Sequence, residues 1–287
     1  MNVITGKTKV IGIIGFPVSH SLSPLMHNAA FSAMGLDYAY VPFPVHPEYL
    51  ADAVKGLKNL GVEGFNVTIP HKTAIIPHLD RISPEAKAIG AVNTVKREGE
   101  FLVGYNTDGI GFLRSLREDL HCEATGTKVV LLGAGGAARS ALAALCGAGA
   151  SLIVVANRTR ERAEELVRAN RELYPACDCR AISLSAEELF PFLRDTDLLV
   201  NTSSVGMEHT TFTDLDLSIM KKGAKVYDMV YAPPVTPLLQ DARDNGLHWA
   251  NGLGMLAGQG EEAFRLWTGV FPPLGFMKER LLEALRG

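Results

Sequence analysis

A glycine-rich turn in the middle of the chain constrains the fold more than any other feature. Lys128–Leu132 is a short apolar run that leads into the pattern G-x-G-x-x-A at Gly133–Ala138. A segment rich in Ala and Leu follows as far as Gly147, and Leu152–Ala156 supplies a second apolar run. Strand, glycine turn, helix and strand in this order predict a nucleotide-binding βαβ unit with parallel strands.

The small residues of this turn have separate physical tasks. Gly133 permits the tight turn, Gly135 lets backbone N–H groups approach a pyrophosphate, and the small Ala138 allows close packing of the helix on the strand. We therefore expect the turn to contact a dinucleotide through Gly133, Ala134, Gly135, Gly136 and Ala137.

The residues after the second apolar run predict which dinucleotide binds. An NAD site usually places an Asp or Glu here to bind the ribose 2′-hydroxyl, whereas this chain has Asn157, Arg158 and Thr159, with Arg162 close behind. A guanidinium group binds phosphate as a planar fork, and no carboxylate is present to repel it. The sequence therefore predicts NADP rather than NAD.

Composition limits the classes of protein that remain. The chain has 287 residues, 47% of them hydrophobic, and a net charge of −3. The slightly negative net charge argues against a nucleic-acid-binding protein, and the length is sufficient for two domains. No apolar run reaches the roughly 18 to 20 residues of a membrane span, and the N-terminus does not resemble a secretion signal. We expect a cytoplasmic protein without a membrane partner.

The four cysteines form no C-x-x-C pair and no spacing typical of zinc. We expect free thiols in a reducing compartment and no metal site. Cys177 and Cys179 could touch a metal, but the favoured prediction places them in an exposed loop before a strand at Arg180–Leu184. The surrounding connection, Asn170–Cys179, receives no predicted function.

The apolar pattern predicts an α/β protein of two domains. In the first domain, strands at 10–15, 38–45 and 64–69 alternate with helices that begin at Ser23 and Pro47, and 91–96 and 101–105 form a hairpin, which predicts a mixed sheet. In the second domain, strands at 180–184, 197–201, 224–229 and 247–250 complete a Rossmann-like, doubly wound sheet. Residues 1–107 and 252–287 are predicted to form the first domain, with C-terminal helices returning to it, and 108–251 the second.

Short polar side chains gather at strand ends of the first domain. Ser21 and Ser23 lie beside a helix N-terminus, which suits a small carboxylate, and Ser23 is predicted to cap that helix. Strand alternation would place Asn66 and Thr68 on one side of a strand that ends just before Lys72. With Asn93 and Asp108 at further strand ends, these groups predict a crevice for a small polyhydroxylated acid.

The motifs together resemble the shikimate dehydrogenase family over nearly the whole chain. They are G-x-P-x-x-H-S-x-S-P-x-x-H-N from Gly15, N-x-T-x-P-x-K from Asn66, G-A-x-N-T from Gly90, N-T-D-G from Asn106, the glycine turn, N-R-T from Asn157, and the stretches 201–207, 228–231 and 252–259. The resemblance implies reduction of 3-dehydroshikimate to shikimate with NADPH, in the biosynthesis of aromatic amino acids. It also implies a substrate domain completed by C-terminal helices and a Rossmann-like domain.

The resemblance also implies roles for single residues. Lys72 and Asp108 would form the catalytic pair, since an ammonium group can stabilise and protonate the oxygen of a ketone that accepts a hydride. Substrate would be bound by Ser21, Ser23, Asn66, Thr68, Lys72, Asn93, Asp108, Tyr231 and Gln259. Beyond the turn, cofactor contacts would come from Asn157, Arg158, Thr159, Arg162, Thr202, Met229, Gly252 and Met255.

Two other functions are compatible with the same motifs. A quinate/shikimate dehydrogenase would accept a substrate with one more hydroxyl and would tend to use NAD. A non-catalytic NADP sensor would keep the scaffold and lose Lys72 or Asp108, both of which are present. The expected partners are a small-molecule substrate and, as an open alternative to a monomer, a second copy of the chain in a homodimer; no nucleic acid is expected.

Overall fold

The chain folds into two units, each built on a six-stranded sheet. The computed structural model describes residues 3–208 and 210–286. Unit 1 comprises Met1–Gly111 and Leu256–Gly287, and unit 2 comprises Phe112–Met255.

The elements follow one another as alternating strands and helices. The strands are β1 Lys9–Gly15, β2 Tyr38–Pro44, β3 Gly64–Val67, β4 Arg81–Ile82, β5 Thr94–Glu98, β6 Phe101–Tyr105, β7 Lys128–Leu132, β8 Leu152–Asn157, β9 Asp178–Ser183, β10 Leu198–Asn201, β11 Val205–Glu208, β12 Lys225–Asp228 and β13 His248–Asn251. The α-helices are α1 Ser23–Ala33, α2 Leu50–Asn59, α3 Pro84–Ile89, α4 Asp108–Leu120, α5 Gly136–Gly147, α6 Arg160–Leu173, α7 Ala186–Leu193, α8 Pro237–Asp244, α9 Leu253–Thr268 and α10 Phe276–Arg286.

The sheet of unit 1 is mixed, as the sequence predicts. Its strand order is β2-β1-β3-β5-β6-β4. The pairs β1–β2 and β1–β3 are parallel, whereas β3–β5 and β5–β6 are antiparallel. The predicted hairpin is confirmed, and Gly99 in its turn has a φ of 63°, a conformation that favours glycine.

Two local predictions in unit 1 are wrong. Helix α1 begins at Ser23 itself after Leu22, so Ser23 is not the cap; instead the Ser23 amide donates to Ser21 Oγ at 3.3 Å. Strand β3 ends at Val67, so Thr68 lies beyond the strand. The chain turns there because the His71 amide donates to the Thr68 carbonyl, and Pro70, inside that turn, has no N–H to extend a ladder.

The sheet of unit 2 is parallel throughout, in the order β13-β12-β10-β7-β8-β9. This order confirms the predicted doubly wound sheet. The strands read as continuous apolar runs because helices cover both faces; β7 and β8 are buried over nearly their whole length. The order reverses between β7 and β10, and ligands of such sheets bind at the carboxyl ends of strands at this point.

The described residues contain no helix that is both long and apolar enough to cross a membrane.

A histidine lies within the aromatic core of unit 1. The ring of His27 is fully buried, stacks on Tyr40 with centroids 4.5 Å apart, and packs against Trp267 at 5.4 Å. Neither ring nitrogen has a hydrogen-bond partner among the residues that the structure describes. Burial therefore lowers the pKa of His27 from 6.5 to about 3.

This histidine makes stability depend on pH in a defined window. Its folded pKa lies below its unfolded pKa, so the unfolded chain binds the proton more tightly and stability is lost as the pH falls from about 6.5 towards 3. Between pH 7 and pH 5 we expect the wild type to lose about 2 kcal/mol relative to His27→Phe and His27→Leu, which cannot titrate. Urea unfolding followed by the fluorescence of Trp267, with Trp249 replaced by Phe, measures this in unit 1. An equal pH dependence in all three proteins would contradict the burial of a neutral imidazole.

Candidate functional site

A lysine and an aspartate form the chemical centre of unit 1. Lys72 Nζ lies 2.6 Å from Asp108 Oδ2, and the two side chains are 16% and 5% exposed. Lys72 follows the turn after β3, and Asp108 is the first residue of α4. The ammonium group is thus held by a nearly buried carboxylate while part of it remains accessible to a ligand.

Asn93 fixes the other oxygen of the carboxylate. Its Nδ2 donates to Asp108 Oδ1 at 2.9 Å, to Thr107 Oγ1 at 2.9 Å and to Gln259 Oε1 at 3.2 Å. Its Oδ1 in turn accepts a hydrogen bond from the Thr107 amide at 2.8 Å. Asn93 and Gln259 are both buried, so the lysine and its carboxylate are attached to a rigid network.

A second chain of hydrogen bonds leads from Asn93 through Asn66 to Tyr40, which lies next to Ser23. Tyr40 donates to Asn66 Oδ1 at 2.6 Å, and Asn66 Nδ2 donates to the Asn93 carbonyl at 3.1 Å. Burial raises the pKa of Tyr40 well above its usual range, and a hydrogen bond with Ser23 opposes that rise. Ser23 is 3% exposed, whereas Ser21 is only half-buried. The structure therefore connects Ser23, Tyr40, Asn66 and Asn93 as neighbours.

Thr68 packs against Gly15, whose missing side chain leaves room for it. A Cβ atom at Gly15 would collide with the side chain of Thr68. The Thr68 amide donates to the Ile14 carbonyl at 2.9 Å, which holds the residue at the end of β1. Tyr231 is the one predicted substrate residue that belongs to unit 2, on the loop after β12.

Tyr40 is absent from the residues predicted to bind substrate, and Thr94 and Thr107 figure in the sequence analysis only as members of the motifs that begin at Gly90 and Asn106. Tyr40, Thr94 and Thr107 are buried and hydrogen-bonded to Asn66 or Asn93. The signal that could have found them is a polar residue in or beside an otherwise apolar strand, since a buried polar group needs a partner.

The glycine turn of unit 2 has the geometry of an anion site. Gly133 has a φ of 112°, and a side chain there would press on Thr202 and Ser203. Gly135 is the N-cap of α5, and Gly136 is its first residue, so the first-turn amides lack partners within the helix. These amides lie at the positive end of the helix dipole and suit a pyrophosphate.

The arginines after β8 differ in their surroundings. Arg160 is paired with Glu164 at 2.9 Å and with Glu188 at 3.1 Å. Arg158 and Arg162 are exposed, and neither guanidinium group has an ion-pair partner in the described part of the chain. Two arginines are therefore available to a phosphate group, and a third is already neutralised.

The remaining residues predicted to bind cofactor lie around the same end of the sheet. Asn157 Nδ2 donates to the Thr159 carbonyl at 2.8 Å, which shapes the loop that carries Arg158. Thr202 donates to the Leu132 carbonyl at 2.8 Å. Gly252 approaches the backbone of Met229 so closely that a Cβ atom would collide with it. Met255 is buried in the hydrophobic core of unit 2.

The buried carboxylate of Asp228 holds two of the loops at this end of the unit 2 sheet. Asp228 Oδ1 accepts from Asn201 Nδ2 at 2.8 Å and from the Val230 amide at 3.0 Å, and Asp228 Oδ2 accepts from Thr236 at 2.6 Å. Asn201 Oδ1 in turn accepts from the Ser203 amide at 2.9 Å. Burial raises the pKa of Asp228 to about 6, although these donors oppose the rise. The hydrogen bonds of Asp228 and Asn201 thus hold in place the loops that carry Thr202 and Met229.

The cysteines are free, as predicted, but the predicted exposed loop is wrong. Cys177 and Cys179 are both buried, and strand β9 begins at Asp178 rather than at Arg180. Their sulfur atoms lie near that of Cys146. No local pattern in the sequence indicates this group, because Cys146 is 31 residues before Cys177.

Unit 2 has a glycine turn with the geometry of an anion site, and unit 1 has an ammonium group among hydroxyl and amide side chains, a combination that suits the reduction of a ketone by a nucleotide cofactor. The class of protein is therefore a nucleotide-dependent oxidoreductase that acts on a CH–OH group. Three family descriptions match the chain: "Shikimate dehydrogenase substrate binding domain" over residues 13–95, "Shikimate / quinate 5-dehydrogenase" over 115–231 and "Shikimate 5'-dehydrogenase C-terminal domain" over 252–282. The chain belongs to the shikimate dehydrogenase family.

The similarity to individual relatives extends over nearly the full length of the chain. The shikimate dehydrogenase (NADP⁺) of Geobacter sulfurreducens is 61% identical over 281 residues, which cover 98% of each chain. A solved shikimate dehydrogenase in complex with NADP⁺ is 40% identical, with a TM-score of 0.90, over 99% of this chain and 98% of the other. The enzyme of Thermus thermophilus, solved with NADP(H) and shikimate, is 37% identical, with a TM-score of 0.85, over 97% of this chain and 100% of the other.

Proposed function

We propose that the protein is a shikimate dehydrogenase that reversibly reduces 3-dehydroshikimate to shikimate with NADPH, a step in the biosynthesis of aromatic amino acids. The single observation that carries this function is the Lys72–Asp108 pair at 2.6 Å, held by Asn93 among hydroxyl- and amide-bearing side chains. Family membership and the full-length similarity to NADP⁺-dependent relatives support the assignment.

Unit 1 is the proposed substrate domain. Ser21 and Ser23 supply hydroxyl donors for the carboxylate of the substrate, beside the N-terminus of α1. Asn66, Thr68, Asn93 and Gln259 supply groups that can donate to or accept from the ring hydroxyls and the carbonyl. Tyr231, which lies in unit 2, stays a prediction from the resemblance.

Lys72 is the proposed proton donor. During reduction, negative charge develops on the ketone oxygen, and the ammonium group stabilises that charge and transfers a proton to the oxygen. Asp108 orients the ammonium group through Oδ2 while Asn93 holds Oδ1. In the direction of oxidation, Lys72 takes the proton from the hydroxyl as the base, by microscopic reversibility.

Unit 2 is the proposed NADP domain. The bound nicotinamide supplies or accepts the hydride. The turn Gly133–Ala137 would hold the pyrophosphate, and Thr202, Met229, Gly252 and Met255 would lie along the nicotinamide side. Asn157 and Thr159 shape the adenosine loop, where Arg158 and Arg162 would bind the 2′-phosphate. The positive φ of Gly133, the first-turn amides and the two unpaired guanidinium groups all fit this cofactor.

Two finer statements remain predictions from the sequence: a cytoplasmic place of action and, as the open alternative to a monomer, assembly as a homodimer. Neither the proposed chemistry nor the site residues call for a nucleic acid.

Replacing Lys72 tests the catalytic assignment. We expect Lys72→Met to lower kcat for shikimate oxidation by about 10²-fold to 10⁴-fold, the usual range for a positioned acid or base, with a much smaller change in KM. The matched control is Lys87→Met, which removes an exposed lysine of α3 in the same unit and should leave kcat unchanged. A Lys72→Met enzyme with nearly the parental kcat would overturn the proton-donor role.

Replacing Arg158 tests the cofactor assignment. We expect Arg158→Ala to lower kcat/KM for NADP about 10-fold to 100-fold, the equivalent of the roughly 1.5 to 3 kcal/mol of a charged hydrogen bond, and to leave the value for NAD nearly unchanged. Arg160→Ala is the control, because that guanidinium group is already paired with glutamates.

The same assays, run with shikimate and with quinate, separate the proposed function from a quinate/shikimate dehydrogenase. Equal losses with both cofactors in Arg158→Ala, or faster turnover of quinate with NAD in the parent enzyme, would contradict the assignment.

A further inference from the structure

Three cysteines of unit 2 form a compact group that the proposed reaction does not use. The sulfur atoms of Cys146, Cys177 and Cys179 all lie within 4.8 Å of one another, and Cys146 Sγ and Cys179 Sγ are 3.6 Å apart. All three are buried. The fourth cysteine, Cys122, is buried elsewhere and does not belong to the group.

Three elements bring these sulfur atoms together. Cys146 lies in the last turn of α5, and Cys179 lies in β9. Cys177 directly precedes β9, and its amide donates to the Tyr174 carbonyl at 3.1 Å. Because side chains alternate along an extended segment, Cys177 and Cys179 face the same side and Asp178 between them faces the other, where it pairs with Arg180.

The surroundings of the sulfur atoms supply hydrogen-bond donors and a positive charge. Asn170, on α6, is 5% exposed, and its Nδ2 lies 3.1 Å from Cys146 Sγ and 3.7 Å from Cys179 Sγ. Arg171 donates to the Cys179 carbonyl at 2.7 Å. A buried amide that donates to two sulfur atoms is the arrangement that supports thiolate ligands of a metal.

We propose that Cys146, Cys177 and Cys179 bind one thiophilic divalent ion, Zn²⁺ being the species that fits best. Zinc–sulfur bonds of about 2.3 Å place the sulfur atoms of a tetrahedral site about 3.8 Å apart, so the existing spacing requires only a small adjustment. Thiolates select soft or borderline ions over Mg²⁺ and Ca²⁺. The site departs from the expectation, drawn from the sequence, that the chain holds no metal.

A surface pocket borders two of the three cysteines. It is lined by Arg171 and the segment from Pro175 to Cys179. A water molecule reaching the ion from this pocket would complete four-coordination. Binding forms three sulfur–metal bonds and releases the thiol protons to solvent, so it needs neither an oxidant nor a reductant. Three thiolates and Zn²⁺ leave one net negative charge, and the guanidinium group of Arg171 lies where it can offset that charge.

The consequence of binding would be structural. The ion would connect the end of α5, which begins at the glycine turn, to the edge strand β9. An ion that binds only the folded state stabilises it, and at a hundredfold excess over Kd we expect the unfolding temperature to rise by about 5 to 10 °C.

Cobalt titration of the full-length, reduced protein without oxygen tests the proposal, since Co²⁺ at thiolates gives a charge-transfer absorption. We expect this absorption to saturate at one ion per chain and to disappear when Zn²⁺ is added. Cys177→Ser is the first variant, because a serine hydroxyl can still donate to the Ala150 carbonyl as the thiol does. We expect both Cys177→Ser and Cys179→Ser to lose the cobalt absorption. Cys122→Ser should bind cobalt as the parent does.

Several results would overturn the site. The first is that the parent protein shows no thiolate–cobalt absorption, and the second is that this absorption persists in both folded serine variants. The third is that the protein binds neither Co²⁺ nor Zn²⁺ and instead forms a Cys146–Cys179 disulfide in air. The metal-dependent rise in unfolding temperature is a second readout, expected in the parent and in Cys122→Ser but not in Cys177→Ser. Neither readout depends on catalysis, so the outcome does not bear on the dehydrogenase function.

Discussion

An ion pair between Lys72 and the nearly buried Asp108 organises the candidate site of unit 1. Removing charges from water costs several kcal/mol per ion, and attraction between the partners offsets that cost only when their remaining hydrogen-bonding capacity is also used. Asn93 meets that condition by donating to the second oxygen of Asp108, and Asn93 is itself held by Thr107. The ammonium group is therefore positioned before any substrate arrives, and positioning of this kind is a large part of what an enzyme contributes to catalysis.

Unit 2 also contains a buried carboxylate whose oxygens accept several hydrogen bonds, but this one holds loops in place. Asp228 ends an apolar strand, is fully buried, and accepts hydrogen bonds from Asn201, Thr236 and the Val230 amide. Here the network has no ammonium group and holds backbone loops. In each unit, a carboxylate at the end of a strand or the start of a helix is satisfied internally, so the groups it fixes can remain available to a ligand. In both places the buried polar groups are hydrogen-bonded to one another.

The sequence predicted those parts of the fold and site that depend on local pattern. The period and length of the apolar runs predict the glycine turn, the parallel sheet of unit 2 and the mixed sheet of unit 1. They do so because the pattern of apolar and polar residues within a strand indicates which of its faces are buried. The cap at Ser23 and the end of β3 were wrong because a hydrogen bond from Ser23 to Ser21, and a turn before Pro70, override local preference. The cysteine group and the role of Tyr40 depend on residues far apart in the chain, which no local spacing records.

A double-mutant cycle in kcat measures whether Lys72 and Asp108 act as one unit. The cycle compares Lys72→Met, Asp108→Asn and the double variant with the parent, using shikimate and NADP at saturation. If the carboxylate acts by holding the ammonium group, its loss matters little once the ammonium group is gone, and the double variant should be far less impaired than the product of the two single effects. Strictly multiplicative losses, with each variant folded, would show that the two residues act independently and would contradict the account.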